Sequence, residues 1–266
     1  MSEVISAGQE TSGQHQRDAV LPLGMIGSLL YFGIASTVLS ASVLGLVPWM
    51  MRRGIPSLTI LNVALEIPAA LILVASLLAF RLESRPSGWA AFRDRMRLST
   101  PRRKDWLWAF VALAFAFGLT ILIDTVAEAY LRLRLFTTPA ETHAFVNSVR
   151  AGFPDIELSG RWGVLLWLMF ANVAFNTGGE ELLWRGIVLP RQEVVSGRWA
   201  WLVNGILWHL FHIARYETVA SMVVFLPVML TVPYLAQRTR NTWPGFVVHL
   251  VFNTLGILPV FQRVIG

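Results

Sequence analysis

The chain has 266 residues, of which 55% are hydrophobic and 14% are charged, and its mean hydropathy is +0.57. Because a soluble domain carries about a quarter charged residues, this composition excludes an ordinary soluble fold and favours a membrane protein. The lack of cysteine excludes disulfides, cysteine-ligated metal centres and thiol catalysis. Lys104 is the one lysine among the 22 basic residues, and the arginines gather at the ends of apolar segments, which indicates a membrane interface and not nucleic acid.

The order of polar and apolar segments predicts the organisation of the chain. Residues 1–20 are polar and lack the apolar core of a signal peptide, so they are predicted to form a cytoplasmic tail. A helix needs about 20 apolar residues to cross the hydrocarbon core. Residues 21–266 are therefore predicted to form a single all-α membrane domain, a polytopic bundle of about seven to eight transmembrane helices. The seven apolar segments are 21–51, 58–80, 106–123, 163–189, 199–213, 219–236 and 243–260.

The distribution of charge predicts the orientation. Residues 81–105 hold eight basic and three acidic residues, which is most of the net charge of +6. The positive-inside rule places this loop and the N-terminus in the cytoplasm. The arginine bias indicates a GC-rich bacterial genome, so the expected location is the bacterial inner membrane. Residues 124–162 mix charged and apolar side chains and are predicted to contain an interfacial helix.

Polar side chains recur in three of the late apolar segments. An ionisable group at membrane depth costs a few kcal/mol, so it persists where it pairs, contacts water or has a function. Such groups also join transmembrane helices in purely structural roles, and Glu66 with Asn62 is interpreted in that way. Convergence on three segments favours a functional site. Its members are Asn172, Asn176, Glu180, Glu181, Arg185, His209, His212, His249 and Asn253.

The spacing of these residues indicates their chemistry. Glu181 and Arg185 are four apart, so they share a helix face and can form an ion pair that leaves Glu180 available. His249 and Asn253 are also four apart and present hydrogen-bonding groups to one cavity. A desolvated carboxylate beside a histidine can activate water, and an imidazole with an amide can stabilise an oxyanion. The residues are therefore sufficient for peptide-bond hydrolysis without a serine or cysteine nucleophile.

Three short motifs carry a resemblance to a known family. Glu180-Glu181-Leu-Leu-Trp-Arg185 is followed by Trp208-His-Leu-Phe-His212 and then by His249-Leu-Val-Phe-Asn253. This series resembles the EExxxR, FxxxH and HxxxN motifs of the CAAX protease and bacteriocin-processing family of intramembrane proteases, which includes the Ras converting enzyme. Each motif is weak alone, but three in order are specific. The resemblance covers residues 160–260, which would form the catalytic helical core.

The resemblance implies a bundle of about eight helices in which Glu180 and His212 activate a water molecule. It assigns Glu181 to the second family glutamate and Arg185 to orienting the acids. It assigns His249 and Asn253 to the substrate-carbonyl site. The chain departs from the family pattern at Trp208, where phenylalanine is usual, and this change is expected to be harmless. His209 is an additional histidine and ranks second to His212 for the catalytic role.

Two alternative functions remain open at this point. A zinc protease could use Glu180, His212 and His249 as ligands, although HExxH is absent and no cofactor is certain. A transporter or a non-catalytic immunity-type protein could use the same polar cavity to bind a ligand. For the protease, the expected partners are the lipid bilayer and a membrane-anchored protein or peptide substrate, with no nucleic acid. The eukaryotic relatives cleave prenylated CAAX tails.

Overall fold

A computed structural model describes residues 20–83, 88–131 and 133–266 of the chain. The predicted tail at 1–20 lies outside these residues except for Val20. Within them the fold is an all-α bundle, as predicted, with one isolated β-bridge between Arg134 and Thr218. The helices are α1 (Met25–Met51), α2 (Ser57–Leu82), α3 (Trp89–Arg95), α4 (Arg103–Tyr130), α5 (Ala140–Arg150), α6 (162–196), α7 (Ala200–Phe211), α8 (Val219–Thr239), α9 (Thr242–Leu255) and α10 (Leu258–Ile265).

All seven predicted apolar segments are helical. In the described part of the chain, α1, α2, α8 and the Arg103–Ala127 part of α4 are long and apolar enough to cross a membrane. Helices α9 and α10 meet at an angle of 53° and together make a fifth candidate. Helix α7 has 12 residues, which at 1.5 Å per residue gives about 18 Å, too short for a hydrocarbon core of about 30 Å. It therefore ends inside the bundle.

Helix α6 contains two π-type segments, in which each turn holds an extra residue. They span Asn172–Gly179 and Glu181–Val188, so they flank Glu180 directly. Segments of this kind are rare and often occur at functional sites. A Cβ atom on Gly179 would lie 3.0 Å from the backbone nitrogen of Leu73 in α2. The glycine therefore lets α2 and α6 approach closely beside the two glutamates.

Buried hydrogen bonds attach α7 to its neighbours. The side-chain amide of Asn204 donates to the Trp184 carbonyl oxygen at 3.1 Å and to the Gln192 side-chain oxygen at 2.9 Å, both in α6. The Gln192 amide in turn donates to the Ser28 hydroxyl in α1 at 3.0 Å. Because a buried amide that lacks a partner is costly, this chain of bonds sets the register of α7 against α6.

The basic loop between α2 and α4 is docked on α6. Arg95 is buried and donates to the carbonyl oxygens of Gly186 and Ile187, while its guanidinium also pairs with Glu83. Arg97 donates to both carboxylate oxygens of Glu193. The two carbonyl groups bound by Arg95 belong to the second π-type segment of α6. The loop therefore supports the helix that carries the two predicted acids.

The region predicted as an interfacial helix contains the end of α4 and all of α5. Phe145 of α5 packs in a buried cluster with Val47 of α1 and Ile60 of α2. The segment after α4 lies beside the residues just before α8. There the backbone N–H of Leu135 donates to the Glu217 carbonyl oxygen at 3.3 Å. Helix α5 therefore covers one end of α1 and α2.

The Gly179 contact generates a prediction about stability. Gly179→Ala should lower the free energy of unfolding by about 1–3 kcal/mol, because the new methyl group overlaps the backbone of α2. Gly118→Ala in α4 is the matched control, since a Cβ atom there meets nothing within 4 Å. It should leave stability unchanged or raise it slightly, because alanine is the better helix former. Denaturant unfolding in detergent measures both, and equal effects would contradict the close approach.

Candidate active site

The three motif-bearing helices meet in the interior of the bundle. Helix α6 supplies Glu180, Glu181 and Arg185. The end of α7 supplies His212, and α9 supplies His249 and Asn253. All of these side chains except Asn253 are buried, and those of Glu181 and Arg185 have no exposed surface. The fold therefore brings together six of the nine residues that the sequence singled out, whereas Asn172, Asn176 and His209 bond to Thr254, Glu66 and Tyr216.

Glu180 faces α7. Its Oε2 atom accepts a hydrogen bond from the indole N–H of Trp208. Its Oε1 atom lies 3.8 Å from Nε2 of His212. This separation is too long for a direct hydrogen bond, and two polar atoms so placed can share one water molecule. One carboxylate oxygen of Glu180 is therefore hydrogen-bonded to Trp208, and the other is available to bind water.

The orientation of His212 follows from the end of α7. Its Nδ1 atom lies 3.0 Å from the backbone carbonyl oxygen of Trp208, one of the last carbonyl groups of the helix. A carbonyl oxygen only accepts hydrogen bonds, so Nδ1 carries the hydrogen. In the neutral ring Nε2 then has a lone pair, and this atom faces Glu180. The imidazole can therefore accept a proton from a water molecule beside the carboxylate.

Glu181 contacts Arg185 of its own helix and His249 of α9. Its Oε1 atom lies 3.2 Å from Nη1 of Arg185 and 2.9 Å from Nδ1 of His249. The prediction of an ion pair between Glu181 and Arg185 is confirmed. Because both partners are fully buried, neither charge can be removed without leaving the other uncompensated. Glu181 is therefore held by two partners, whereas Glu180 has one unbonded oxygen; the predicted catalytic role of Glu181 stays a prediction.

Both ring nitrogens of His249 are occupied. Nδ1 donates to the Glu181 carboxylate, and Nε2 accepts from the side-chain amide of Asn253 at 3.0 Å. The Asn253 amide nitrogen also lies 3.3 Å from the Thr177 hydroxyl oxygen. His249 and Asn253 thus share one face of α9, as their spacing predicted. The His249–Asn253 pair therefore links Glu181 to Thr177, both in α6, through a chain of hydrogen bonds.

His209 lies in a different environment from His212. Its Nδ1 atom is 2.9 Å from the hydroxyl group of Tyr216, and the two rings pack with centroids 4.8 Å apart. His212, and not His209, stands opposite Glu180. The geometry therefore agrees with the ranking that the sequence suggested.

The donor set for zinc does not fit these positions. Among the described residues, no group of three or more His, Asp or Glu side chains lies close enough together to hold a metal ion. Of the proposed ligands Glu180, His212 and His249, the last has no free nitrogen, since Glu181 and Asn253 use both. A metal ion would have to displace one of these bonds, so no step below is routed through a metal.

Sequence reasoning missed the part played by Trp208, whose replacement of the usual phenylalanine was expected to be harmless. Its indole N–H binds Glu180, and its ring lies under the Arg185 guanidinium, whose carbon is 3.8 Å from the ring centroid. Phenylalanine can provide the ring face but not the donor. The sequence signal for this contact was tryptophan in place of the usual phenylalanine, because tryptophan adds a hydrogen-bond donor beside a buried acid.

The site thus has the parts of an acid–imidazole hydrolytic centre inside a helical bundle. Comparison with known families agrees, since residues 162–255 match the family described as type II CAAX prenyl endopeptidase Rce1-like. The match covers about a third of the chain and includes all three motifs, so the predicted resemblance is confirmed. It implies a peptidase that acts on a protein or peptide in a membrane. No curated protein and no solved structure matches the chain.

The buried ion pair generates a second prediction. Arg185→Ala should lower the free energy of unfolding by about 3–5 kcal/mol, because Glu181 would remain buried without its cation. The control is Arg52→Ala, which breaks a pair with Glu141 in which the arginine side chain is 58% exposed. That change should have little effect, since water already solvates the charges. Unfolding curves in detergent measure the difference, and similar losses in both variants would refute the prediction.

Proposed function

We propose that this protein is an intramembrane endopeptidase that hydrolyses a peptide bond of a membrane-anchored protein or peptide. The observation that carries the proposal is the separation of 3.8 Å between Glu180 Oε1 and His212 Nε2. A water molecule shared by these atoms can lose a proton to either one while it attacks a carbonyl carbon. The Rce1-like match of residues 162–255 supports the same reaction class.

The reaction proceeds through a tetrahedral intermediate. The water oxygen forms a bond to the scissile carbonyl carbon, and the Glu180–His212 pair takes one water proton. The carbonyl oxygen acquires the negative charge. When the C–N bond breaks, the pair returns the proton to the leaving amine, and the products are a carboxylic acid and an amine. The two groups act as a pair, so the pH dependence of the rate belongs to both.

The carbonyl oxygen is bound from α9. Asn253 directs its amide nitrogen to both His249 and Thr177, and one of these bonds can be exchanged for a bond to the substrate carbonyl. Glu181 accepts a hydrogen bond from Nδ1 of His249 and thereby holds the ring whose Nε2 receives the Asn253 amide. Glu181 and Arg185 therefore act through His249 and do not contact the water.

The loops at one end of the bundle support the proposed orientation in the membrane. The loops that follow α2, α6 and α8 lie together, since Arg97 binds Glu193 and Asn241 donates to the Ser99 carbonyl oxygen at 2.8 Å. The described basic residues of these loops and of the adjacent helix ends are mostly exposed, which by the positive-inside rule supports a cytoplasmic location of this end. In a bacterium this is the cytoplasmic face of the inner membrane. The exposed basic residues are Arg81, Arg93, Arg102, Arg103, Lys104, Arg198, Arg238 and Arg240.

The proposal predicts loss of cleavage in Glu180→Gln. Gln has nearly the shape of Glu but cannot take a proton from water, so cleavage should fall at least about 100-fold. The matched control is Glu66→Gln, since Glu66 is also a buried carboxylate and accepts from the Asn176 amide at 2.8 Å, a bond that Gln can keep. The control should keep activity within about twofold.

The experiment uses purified full-length protein in detergent with a library of membrane-anchored peptides, with and without a prenyl group. Mass spectrometry identifies the products, and a chelator is present in half of the samples. Cleavage by wild type and Glu66→Gln but not by Glu180→Gln is the expected result. Equal cleavage by all three proteins would overturn the proposal. Loss of wild-type cleavage with chelator would favour the zinc alternative, and no cleavage by folded wild type would favour a binding protein.

A further inference from the structure

Trp208 contacts every charged or imidazole group of the site that faces α7. The side chain is 1% exposed and lies one turn before the end of the helix. Its ring centroid is 4.9 Å from that of His249 and 5.8 Å from that of His212, both in edge-on contact. Its N–H binds Glu180, and its face covers Arg185. A single side chain therefore touches both the acid–imidazole pair and the Glu181–Arg185 pair.

The indole N–H fixes the orientation of the Glu180 carboxylate relative to His212. The indole nitrogen donates and never accepts, so it bonds to one carboxylate oxygen and holds it. Here that oxygen is Oε2 of Glu180. The other oxygen, Oε1, then points towards His212. Without the donor, the carboxylate could rotate about its terminal bond, because such bonds have broad rotational preferences.

The indole face of Trp208 covers the Arg185 guanidinium. None of the Arg185 nitrogens makes a hydrogen bond within the described residues, and Nη1 has only the ion pair with Glu181. The guanidinium lies over the indole ring, which attracts a cation and excludes water. Arg185 is thereby held between the indole face and the Glu181 carboxylate.

We infer that Trp208 is a positioning residue, whose indole N–H holds Glu180 with Oε1 aimed at His212 and whose ring supports the Arg185 guanidinium that pairs with Glu181. The inference rests on the proposed function for its effect on the rate, but the hydrogen bond itself does not. Phenylalanine at this position would keep the ring and lose the donor. The N–H contribution can therefore be isolated by one substitution.

Trp184 provides the matched control. It is as deeply buried as Trp208, and it stacks on Phe32 with ring centroids 4.1 Å apart. Its indole nitrogen, however, has no hydrogen-bond partner among the described residues. Trp184→Phe therefore removes a similar volume from the same bundle without removing a hydrogen bond. Any effect that Trp208→Phe has beyond this control comes from the donor.

The kinetic test compares kcat, KM and the unfolding midpoint of wild type, Trp208→Phe and Trp184→Phe. A hydrogen bond to a charged group lost from the reacting state corresponds to a fall of about 10- to 100-fold in kcat. We expect this fall in the folded fraction of Trp208→Phe, with KM nearly unchanged and an unfolding midpoint below that of Trp184→Phe, because the buried Glu180 carboxylate also loses its donor. Equal kcat values for the two variants would overturn the inference, because Trp208 would then only fill space.

A spectroscopic test is independent of activity. Ultraviolet resonance Raman spectra report whether an indole N–H is hydrogen-bonded, and the difference between wild type and Trp208→Phe isolates the bands of Trp208. In Glu180→Ala these bands should move to the position of an unbonded indole. The direct difference between wild type and Glu180→Ala needs no folded Trp208→Phe, and the absence of an indole N–H shift in that difference would overturn the inference. If the bands move but wild type cleaves no peptide, the hydrogen bond stands and the proposed function fails.

Discussion

Charge buried in a lipid-facing bundle has to be compensated by named partners, and this constraint organises the interior of the protein. Glu181 and Arg185 satisfy it by pairing with each other, and His249 adds a hydrogen bond to the same carboxylate oxygen. Glu180 satisfies it differently, with an indole donor on one oxygen and an imidazole at 3.8 Å from the other. Adjacent residues of one helix therefore have different surroundings, with one acid in an ion pair and one that has an unbonded oxygen.

The backbone geometry makes this division possible. Helix α6 is wound with π-type turns on both sides of Glu180, and Gly179 lets α2 approach it. Helix α7 is short and ends inside the bundle, so its last carbonyl groups need donors. The His212 ring supplies one of them to Trp208 and is oriented by that bond. The unpaired carbonyl group at this helix end thus fixes the His212 tautomer that the proposed reaction needs.

The sequence alone predicts the features that depend on composition and on spacings of a few residues along one helix. The helical segments follow from runs of apolar residues, and the Glu181–Arg185 and His249–Asn253 pairs follow from a spacing of four. Contacts between helices could not be predicted in this way. The bond from Trp208 to Glu180 joins residues 28 apart, and it depends on the crossing of α6 and α7. The occupation of both nitrogens of His249, which bears on the zinc alternative, likewise depends on three-dimensional contacts.

The central claim is that the two adjacent glutamates have different roles, and one paired measurement tests it directly. Cleavage rate and free energy of unfolding are measured for Glu180→Gln and Glu181→Gln under the same conditions. We expect Glu180→Gln to lose cleavage and keep its stability. Glu181→Gln should lose about 3–5 kcal/mol of stability, since Arg185 would be buried without a counter-charge, and keep measurable cleavage in the folded fraction. The reverse pattern, or equal losses of both quantities in both variants, would contradict the account.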